Sequence, residues 1–269
     1  MIKINRIDKT FQILKEDKEG ALIVYIVAGD PDFETSIAIG EEIIDAGADI
    51  LELGIPFSDP IADGPTIQFA SQRALKAGMT PRKAMEVASS LSKKIPLAFM
   101  TYYNIPLQYG LENFVKDCQK IGVDGVIIPD LPIEEALPLL NNCNKYDIDQ
   151  IFFAAPTTTE DRIKKTLPVC RGFLYLISLL GVTGARASLT NITKLLISKI
   201  RSYSLDQIPI AIGFGLSEPL HIQQVLSYGA DGAIVGSAII DKVNQLDMIS
   251  ISEIGKFVQE LKSGTMKVR

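Results

Sequence analysis

The chain alternates between short apolar runs and longer stretches in which apolar positions recur at helical spacing. There are eight such runs, and most are continuously apolar, which is typical of parallel strands covered by helices. We predict strands at Ala21–Val27, Asp49–Leu53, Pro96–Thr101, Gly125–Ile128, Gln150–Ala154, Gly172–Ile177, Pro209–Ile212 and Gly232–Val235.

A Gly-x-Asp joint recurs between a predicted helix and the strand that follows it. It occurs at Gly47–Asp49, Gly122–Asp124 and Gly229–Asp231. Glycine suits the residue after a helix because it adopts a left-handed backbone conformation at little cost. The spacing of the joints fits units of about 35 residues, and eight such units account for nearly the whole chain.

This repeat predicts an α/β fold, a (β/α)8 TIM barrel that forms a single domain over residues 1–269. An extra helix from about Ile4 to Leu14 precedes the barrel, and a helix over about Ile251–Lys262 closes the outer ring. A doubly wound open sheet is the alternative. Eight evenly spaced strands with no second domain favour the closed barrel.

Composition narrows the possible functions. The 269 residues are 47% hydrophobic and 22% charged, with a net charge of -5, so the chain can build a sizeable core and is not disordered. The sequence contains no stripe of Lys and Arg residues, so nucleic-acid binding is not expected. The longest apolar run, Ala21–Gly29, is shorter than the roughly 20 residues of a membrane span. We expect a cytoplasmic protein, or one of a stroma-like compartment.

The sequence lacks the residues that metal catalysis and serine or cysteine catalytic triads usually need. The one histidine, His221, cannot form a multi-histidine metal site, and we interpret it as a surface or supporting residue of a helix. The three cysteines are far apart in the sequence and lack the close spacing of a zinc site. We predict no metal and no disulfide.

Glu52 stands out because catalytic groups of this barrel come from the C-terminal ends of the strands. Alternation along the second strand places Ile50 and Glu52 on the inner face, with Leu51 and Leu53 towards the helices. A carboxylate among apolar neighbours has a raised pKa, which suits a general acid/base. The alternative is a glutamate neutralised by a basic residue, but none lies nearby in the sequence.

The loop after this strand, 54–65, contains three prolines and the aspartates Asp59 and Asp63. Proline and glycine give the loop a defined path. Each aspartate is either a turn or cap residue or a functional carboxylate, and spacing alone leaves both interpretations open.

Glycines and aromatic residues cluster at the same predicted end of the barrel. Gly213–Gly215, Gly236–Ser237 and Gly181–Gly184 follow strands 7, 8 and 6, where backbone amides and a helix start at Ser217 or Ser237 favour a phosphate group. The aromatic residues suggest a flat, apolar part of the substrate: they are Tyr25, Tyr102, Phe153, Tyr175 and Phe214.

The stretch Leu51–Gln68 resembles the signature of the tryptophan synthase α-subunit family. Further similar motifs occur in the expected order and cover almost the whole chain: Gly29–Pro31, Tyr102–Asn104, Pro129–Pro132, Gly181–Gly184, Gly213–Gly215 and Gly236–Ala238. The resemblance implies a lyase that cleaves indole-3-glycerol phosphate to indole and glyceraldehyde 3-phosphate. It also implies an α2β2 complex, in which pyridoxal phosphate belongs to the β subunit and this chain needs no cofactor.

The resemblance also implies roles for individual residues. Glu52 matches the acid/base glutamate, Asp63 the second catalytic carboxylate and Tyr175 a tyrosine near the reacting centre. Thr183 matches a lid threonine. The implied substrate and phosphate positions are Tyr25, Tyr102, Thr183, Gly184, Gly213, Phe214, Gly215, Gly236 and Ser237, and the implied interface positions are Asp59, Asn104 and Pro132.

Two positions differ from familiar bacterial members. Leu179–Leu180 replace a polar pair before Gly181, and Tyr25 stands where some members have phenylalanine. Other hypotheses are a phosphate-binding isomerase barrel, a non-catalytic activator of a β subunit, and a free-standing lyase that releases indole. The isomerase usually places its acid/base groups on other strands, and intact Glu52 and Asp63 argue against the activator.

Overall fold

The eight strands form one closed, parallel barrel in chain order, β1 to β8, with β8 pairing back to β1. The structure, a computed structural model, describes residues 5–177, 186–204, 207–213, 215–246 and 248–266, with the backbone alone for 186–192 and 204. The strands are β1 Ala21–Val27, β2 Ile50–Gly54, β3 Leu97–Met100, β4 Gly125–Ile127, β5 Asp149–Ala154, β6 Leu174–Ile177, β7 Ile210–Gly213 and β8 Gly232–Val235. The predicted closed barrel is confirmed.

Helices surround the barrel in the described part of the chain. They are α1 Arg6–Glu16, α2 Phe33–Asp45, α3 Pro65–Lys76, α4 Pro81–Leu91, α5 Asn104–Tyr109, α6 Leu111–Ile121, α7 Leu137–Tyr146, α8 Glu160–Thr166, α9 Arg186–Ser204, α10 Pro219–Ser227, α11 Ser237–Val243 and α12 Ile251–Ser263. A short 3-10 helix, Ile133–Glu135, precedes α7. None of the helices in the described ranges is long and apolar enough to span a membrane.

The additional N-terminal helix α1 covers the bottom of the barrel. It begins at Arg6 because Asn5 is its N-cap, and the Asn5 side chain accepts hydrogen bonds from the backbone of Ile7 and Asp8. The helix ends two residues beyond the predicted Leu14. Its apolar side packs on the residues that fill the barrel, and this face consists of Ile7, Phe11 and Leu14.

Side chains divide between two apolar layers, one inside the barrel and one between barrel and helices. The inner layer includes Ile50, while Leu51 and Leu53 belong to the outer layer. This division confirms the alternation predicted for β2. Since Glu52 lies between these leucines in the strand, its side chain points into the barrel.

The Gly-x-Asp joints lie at the bottom of the barrel, and their glycines have positive φ: +99° at Gly47, +86° at Gly122 and +97° at Gly229. The aspartates connect each joint to the preceding strand. Asp49 accepts a hydrogen bond from the Leu22 N–H at 2.7 Å, Asp124 from Leu97 at 2.9 Å and Asp231 from Ile210 at 2.8 Å. Each also forms an ion pair with a helix residue: Lys262, Arg6 and Arg201, respectively.

Candidate active site

A cavity of about 360 Å³ opens at the C-terminal end of the strands, where the sequence predicts the site. It combines a mainly apolar wall with two carboxylates, which is the usual composition of a small-molecule site. The lining residues are Tyr25, Glu52, Ala62, Asp63, Gly64, Pro65, Thr66, Ile67, Met100, Pro129, Phe153, Tyr175, Ile177, Gly215, Ile234, Gly236 and Ser237.

Glu52 is the buried carboxyl group of this cavity. Only 1% of the residue is exposed, and neither carboxylate oxygen has a hydrogen-bond partner among the described residues. Burial, reinforced by the nearby negative charge of Asp63, raises the pKa of Glu52 to about 8. The group is therefore mainly protonated at neutral pH, and no basic residue of the described chain neutralises it.

Asp63 is held in place by a tyrosine from the connection that follows β3. Its carboxylate accepts a hydrogen bond from the Tyr102 hydroxyl at 2.9 Å, and that hydroxyl accepts one from the Ala62 N–H at 3.0 Å. Tyr102 stacks on Phe57, with ring centroids 5.2 Å apart. Burial raises the pKa of Asp63, while the Tyr102 hydrogen bond acts in the opposite direction and favours the ionised form. Asp63 is thus a fixed carboxylate within the cavity wall.

Two tyrosines lean over glycines of the neighbouring strand. Tyr25 of β1 occupies the space above Gly54, and Tyr175 of β6 the space above Gly213, so that a Cβ at either glycine would collide with the tyrosine hydroxyl. Phe153 packs against Tyr175 with ring centroids 4.6 Å apart. The glycines allow large aromatic side chains to form the floor of the cavity.

The predicted phosphate positions are divided between the cavity and its surroundings. Gly215, Gly236 and Ser237 line the cavity, and Ser237 is the first residue of α11. Gly213 ends β7 beneath Tyr175. The other helix of this region starts at Pro219 rather than at Ser217, because proline favours the first turn and Glu218 takes the N-cap position.

Three predicted substrate positions, Thr183, Gly184 and Phe214, lie outside the described residues, as does the pair Leu179–Leu180. Tyr102 is not among the residues that line the cavity and instead holds Asp63. The single histidine, His221, lies in α10, where its Nδ1 accepts a hydrogen bond from the Ser217 N–H. This contact fits the supporting role expected for it.

The predicted interface residues lie on the surface around the cavity mouth. Asp59 is in the loop after β2, Asn104 begins α5 after β3, and Pro132 precedes the 3-10 helix after β4. All three are exposed. They therefore form an accessible surface on three adjacent strand-to-helix connections.

Several lining residues were absent from the sequence prediction. Met100, Ile177 and Ile234 are inward-facing residues near the ends of β3, β6 and β8, and they belong to the apolar part of the cavity wall. Extending the alternation used for Glu52 to every strand would have identified them.

A larger and more open pocket, about 960 Å³, lies at the other end of the barrel. Its walls come from α1, α9 and the residues before β7 and β8, including Lys15, Arg201 and Asp231. No group of three His, Cys, Asp or Glu side chains in the described ranges is arranged to hold a metal ion. The two carboxylates with raised pKa values that share a cavity, Glu52 and Asp63, make the mouth of the barrel the better candidate site.

Comparison with known proteins shows the family of the chain. The family model described as tryptophan synthase alpha chain matches residues 11–267. The chain belongs to the tryptophan synthase alpha chain family. It is 48% identical to the tryptophan synthase alpha chain of Methanocaldococcus jannaschii, over 90% of this chain and 86% of that one. The protein of the same name from Methanosarcina acetivorans is 46% identical, over 97% and 94% of the two chains.

Solved structures of the family share the fold over the whole barrel. A crystal structure of tryptophan synthase from M. tuberculosis matches with a TM-score of 0.89 and 30% identity, over 98% of this chain and 100% of that chain. Membership of the tryptophan synthase alpha chain family gives this chain the α-subunit role in tryptophan biosynthesis, and makes it a lyase of that route with a β-chain partner.

Proposed function

We propose that the chain cleaves indole-3-glycerol phosphate into indole and glyceraldehyde 3-phosphate, using its own side chains and no cofactor. The observation that carries this proposal is the Glu52 carboxyl, which is buried without a partner in the described chain and shares an apolar cavity with Asp63. A group of this kind can hold a proton at neutral pH and release it to a substrate atom.

The reaction requires two proton transfers around one carbon–carbon bond. Breaking that bond directly would leave an unstable carbanion on the indole ring. Protonated Glu52 first donates its proton to ring carbon C3, which gives a ring with positive charge at its nitrogen. The resulting carboxylate then takes the proton of the adjacent chain hydroxyl. The carbon–carbon bond breaks, its electrons return to the ring and the hydroxyl carbon becomes the aldehyde. Glu52 ends protonated and ready for another cycle.

Asp63 would stabilise the positive charge that develops at the ring nitrogen. An ionised carboxylate suits this role, and the hydrogen bond from Tyr102 favours that form. Tyr102 is thereby a positioning residue for Asp63. The substrate ring supplies the site that accepts the electrons, so the chemistry needs neither a metal nor a lysine adduct.

The remaining predicted residues would hold the two ends of the substrate. Tyr175 and Phe153 offer an aromatic wall for the indole ring, and Gly215, Gly236 and Ser237 offer backbone groups for the phosphate. The roles of Thr183, Gly184, Gly213 and Phe214 in phosphate binding and lid closure are also part of this proposal.

We further infer that the chain assembles with the β subunit as an α2β2 complex, in which only the β subunit carries pyridoxal phosphate. The exposed residues Asp59, Asn104 and Pro132 would contact that subunit. Large apolar side chains are exposed on the same connections, which supports a partner there. They are Ile61, Leu107 and Leu137.

The test is release of indole from indole-3-glycerol phosphate by the purified chain, with glyceraldehyde 3-phosphate measured in parallel. We expect equal amounts of the two products, and faster release when a family β subunit is added. If neither product forms, both with the chain alone and with the β subunit added, the proposed reaction is rejected. If the chain releases indole, but a β subunit neither binds to it nor accelerates the release, the free-standing lyase is supported instead.

A further inference from the structure

Tyr25 lies between the proposed acid and the proposed phosphate site. In the barrel register it faces Glu52 on β2. On the other side, Val24 faces Val235, so the next residues along the two strands are Tyr25 and Gly236. A Cβ on Gly236 would lie 3.3 Å from the Tyr25 Cβ. Tyr25 therefore lies between Glu52 and Gly236, the two positions that the proposed function assigns to opposite ends of the three-carbon chain.

The ring of Tyr25 is buried, but its hydroxyl has no hydrogen-bond partner in the described part of the chain. The residue lines the cavity, and the tip of its ring reaches over Gly54. A tyrosine hydroxyl in a buried position usually has a polar partner. This one faces a cavity whose wall is mainly apolar, so a bound ligand can supply the missing partner.

The same surroundings keep this hydroxyl a donor. Burial raises the pKa of Tyr25 well above its ordinary value, and the negative charges of Asp63 and Glu52 act in the same direction. The phenol is therefore protonated at neutral pH. It can donate a hydrogen bond but does not become a phenolate base.

We propose that Tyr25 is a specificity-determining residue, whose hydroxyl donates a hydrogen bond to the middle hydroxyl of the substrate's three-carbon chain. The inference rests on the proposed function. The substrate has two chain hydroxyls, and in the proposed reaction Glu52 takes the proton of the one next to the ring. The middle hydroxyl lies between the reacting carbon and the phosphate-bearing carbon, and Tyr25 holds the matching position in the barrel.

Such a contact discriminates between ligands that differ only in that hydroxyl. A site with a buried polar group binds a ligand lacking the matching group less well, because its own donor is left without a partner. Indole-3-propanol phosphate carries the same ring and phosphate but no chain hydroxyl. It therefore probes the contacts to the ring and the phosphate, and it can make neither the proposed Tyr25 contact nor the hydroxyl contact assigned to Glu52.

The experiment compares Tyr25→Phe with the wild-type chain on both ligands. We expect kcat/KM for indole-3-glycerol phosphate to fall about fivefold, mainly through a higher KM, because one neutral hydrogen bond is lost from substrate and transition state alike. The Kd of indole-3-propanol phosphate should stay unchanged or decrease. Tyr146→Phe is the matched control: its hydroxyl contacts Glu112 on the outer surface, and both values should remain at the wild-type level.

Other results would overturn the proposal. An equal loss of affinity for both ligands would mean that Tyr25 acts through packing, and unchanged kcat/KM would mean that the hydroxyl contacts nothing. A shifted pH profile would mean that it acts through Glu52. If the wild-type chain releases no indole at all, the proposed reaction fails rather than the role of Tyr25. The midpoint of thermal unfolding should be the same for Tyr25→Phe and for the wild type. This control shows that any change in kinetics comes from the site and not from a loss of structure.

Discussion

At the scale of single residues, Glu52 has the environment that an acid/base group needs. Its carboxyl is 1% exposed and unpartnered in the described chain, and its pKa is raised to about 8. Glu52→Gln keeps the size and shape of the side chain but cannot carry a proton. We expect indole release to fall about 10³-fold or more, because both proton transfers lose their carrier. Indole release with purified variant and wild type is the measurement.

The fold of this variant should remain intact. Glu86→Gln, which changes an exposed glutamate of α4, provides the matched control and should keep full activity. If Glu52→Gln retained a tenth or more of the wild-type rate, Glu52 would not be the proton carrier. Circular dichroism and thermal unfolding of both variants separate lost chemistry from lost structure.

The pKa of Glu52 also predicts the pH dependence of the reaction. The protonated form starts the proposed cycle, so kcat/KM should fall about tenfold per pH unit above about pH 8. Since Asp63 contributes to the raised pKa, the falling limb should move to lower pH in Asp63→Asn. Rate profiles between pH 6 and 10 test both points, and a flat profile up to pH 10 would contradict them.

The local sequence pattern correctly predicted that Glu52 points into the barrel but left the role of Asp63 open, for a physical reason. Alternation along one strand is a local property, so the inward direction of Glu52 could be predicted from its immediate neighbours. A functional aspartate and a turn aspartate have the same local sequence around them. The contact that holds Asp63 comes from Tyr102, which lies 39 residues away, in the connection after β3. Only the folded barrel brings the two together.

At the scale of elements, each aspartate of the Gly-x-Asp joints links the preceding strand to a helix through a hydrogen bond and an ion pair. Asp124 accepts hydrogen bonds from the Leu97 N–H and from Nε and Nη2 of Arg6, while Arg6 also donates to the backbone carbonyl of Gly122. Asp124→Ala removes the acceptor of a buried N–H and the charge that pairs with Arg6. We expect the free energy of unfolding to fall by about 2 to 3 kcal/mol, measured by urea unfolding.

Asp161→Ala serves as the comparison, because Asp161 is an exposed residue at the start of α8. Its free energy of unfolding should change by no more than about 0.5 kcal/mol. Equal losses in the two variants would show that the joint aspartate has no special structural role. Activity of the folded Asp124→Ala should persist, since the joint lies at the end of the barrel opposite the cavity.

The elements themselves were largely predictable. All eight strands lie within two residues of their predicted bounds, because continuous apolar runs between glycine-containing joints leave few alternative positions. The turn glycines were also predicted correctly, as their positive φ demonstrates. The partners of the joint aspartates were not predictable. Lys262, for example, reaches Asp49 across 213 residues of sequence, and no local pattern encodes such a contact.

At the scale of the whole molecule, the mouth of the barrel combines a buried site with an exposed apolar rim. Ile61 is 82% exposed, Leu107 50% and Leu137 64%, and they follow β2, β3 and β4 in turn. Their exposure could not be predicted from sequence, because an isolated apolar residue in a connection can face either the core or the surface. A surface of this kind on the connections that carry Asp59, Asn104 and Pro132 is typical of a protein contact.

The last prediction tests this rim as the surface for the β chain. Leu107 lies on α5, which begins with Asn104, and it is not among the residues lining the cavity. Leu107→Ser should weaken binding of a family β subunit about tenfold, because an apolar side chain at an interface loses its burial. Indole release by the isolated chain should stay the same. Leu195→Ser, a 70% exposed leucine on α9, is the control and should bind normally. Equal Kd values for wild type and Leu107→Ser, measured by titration calorimetry, would exclude this residue from the contact and move the interface away from α5.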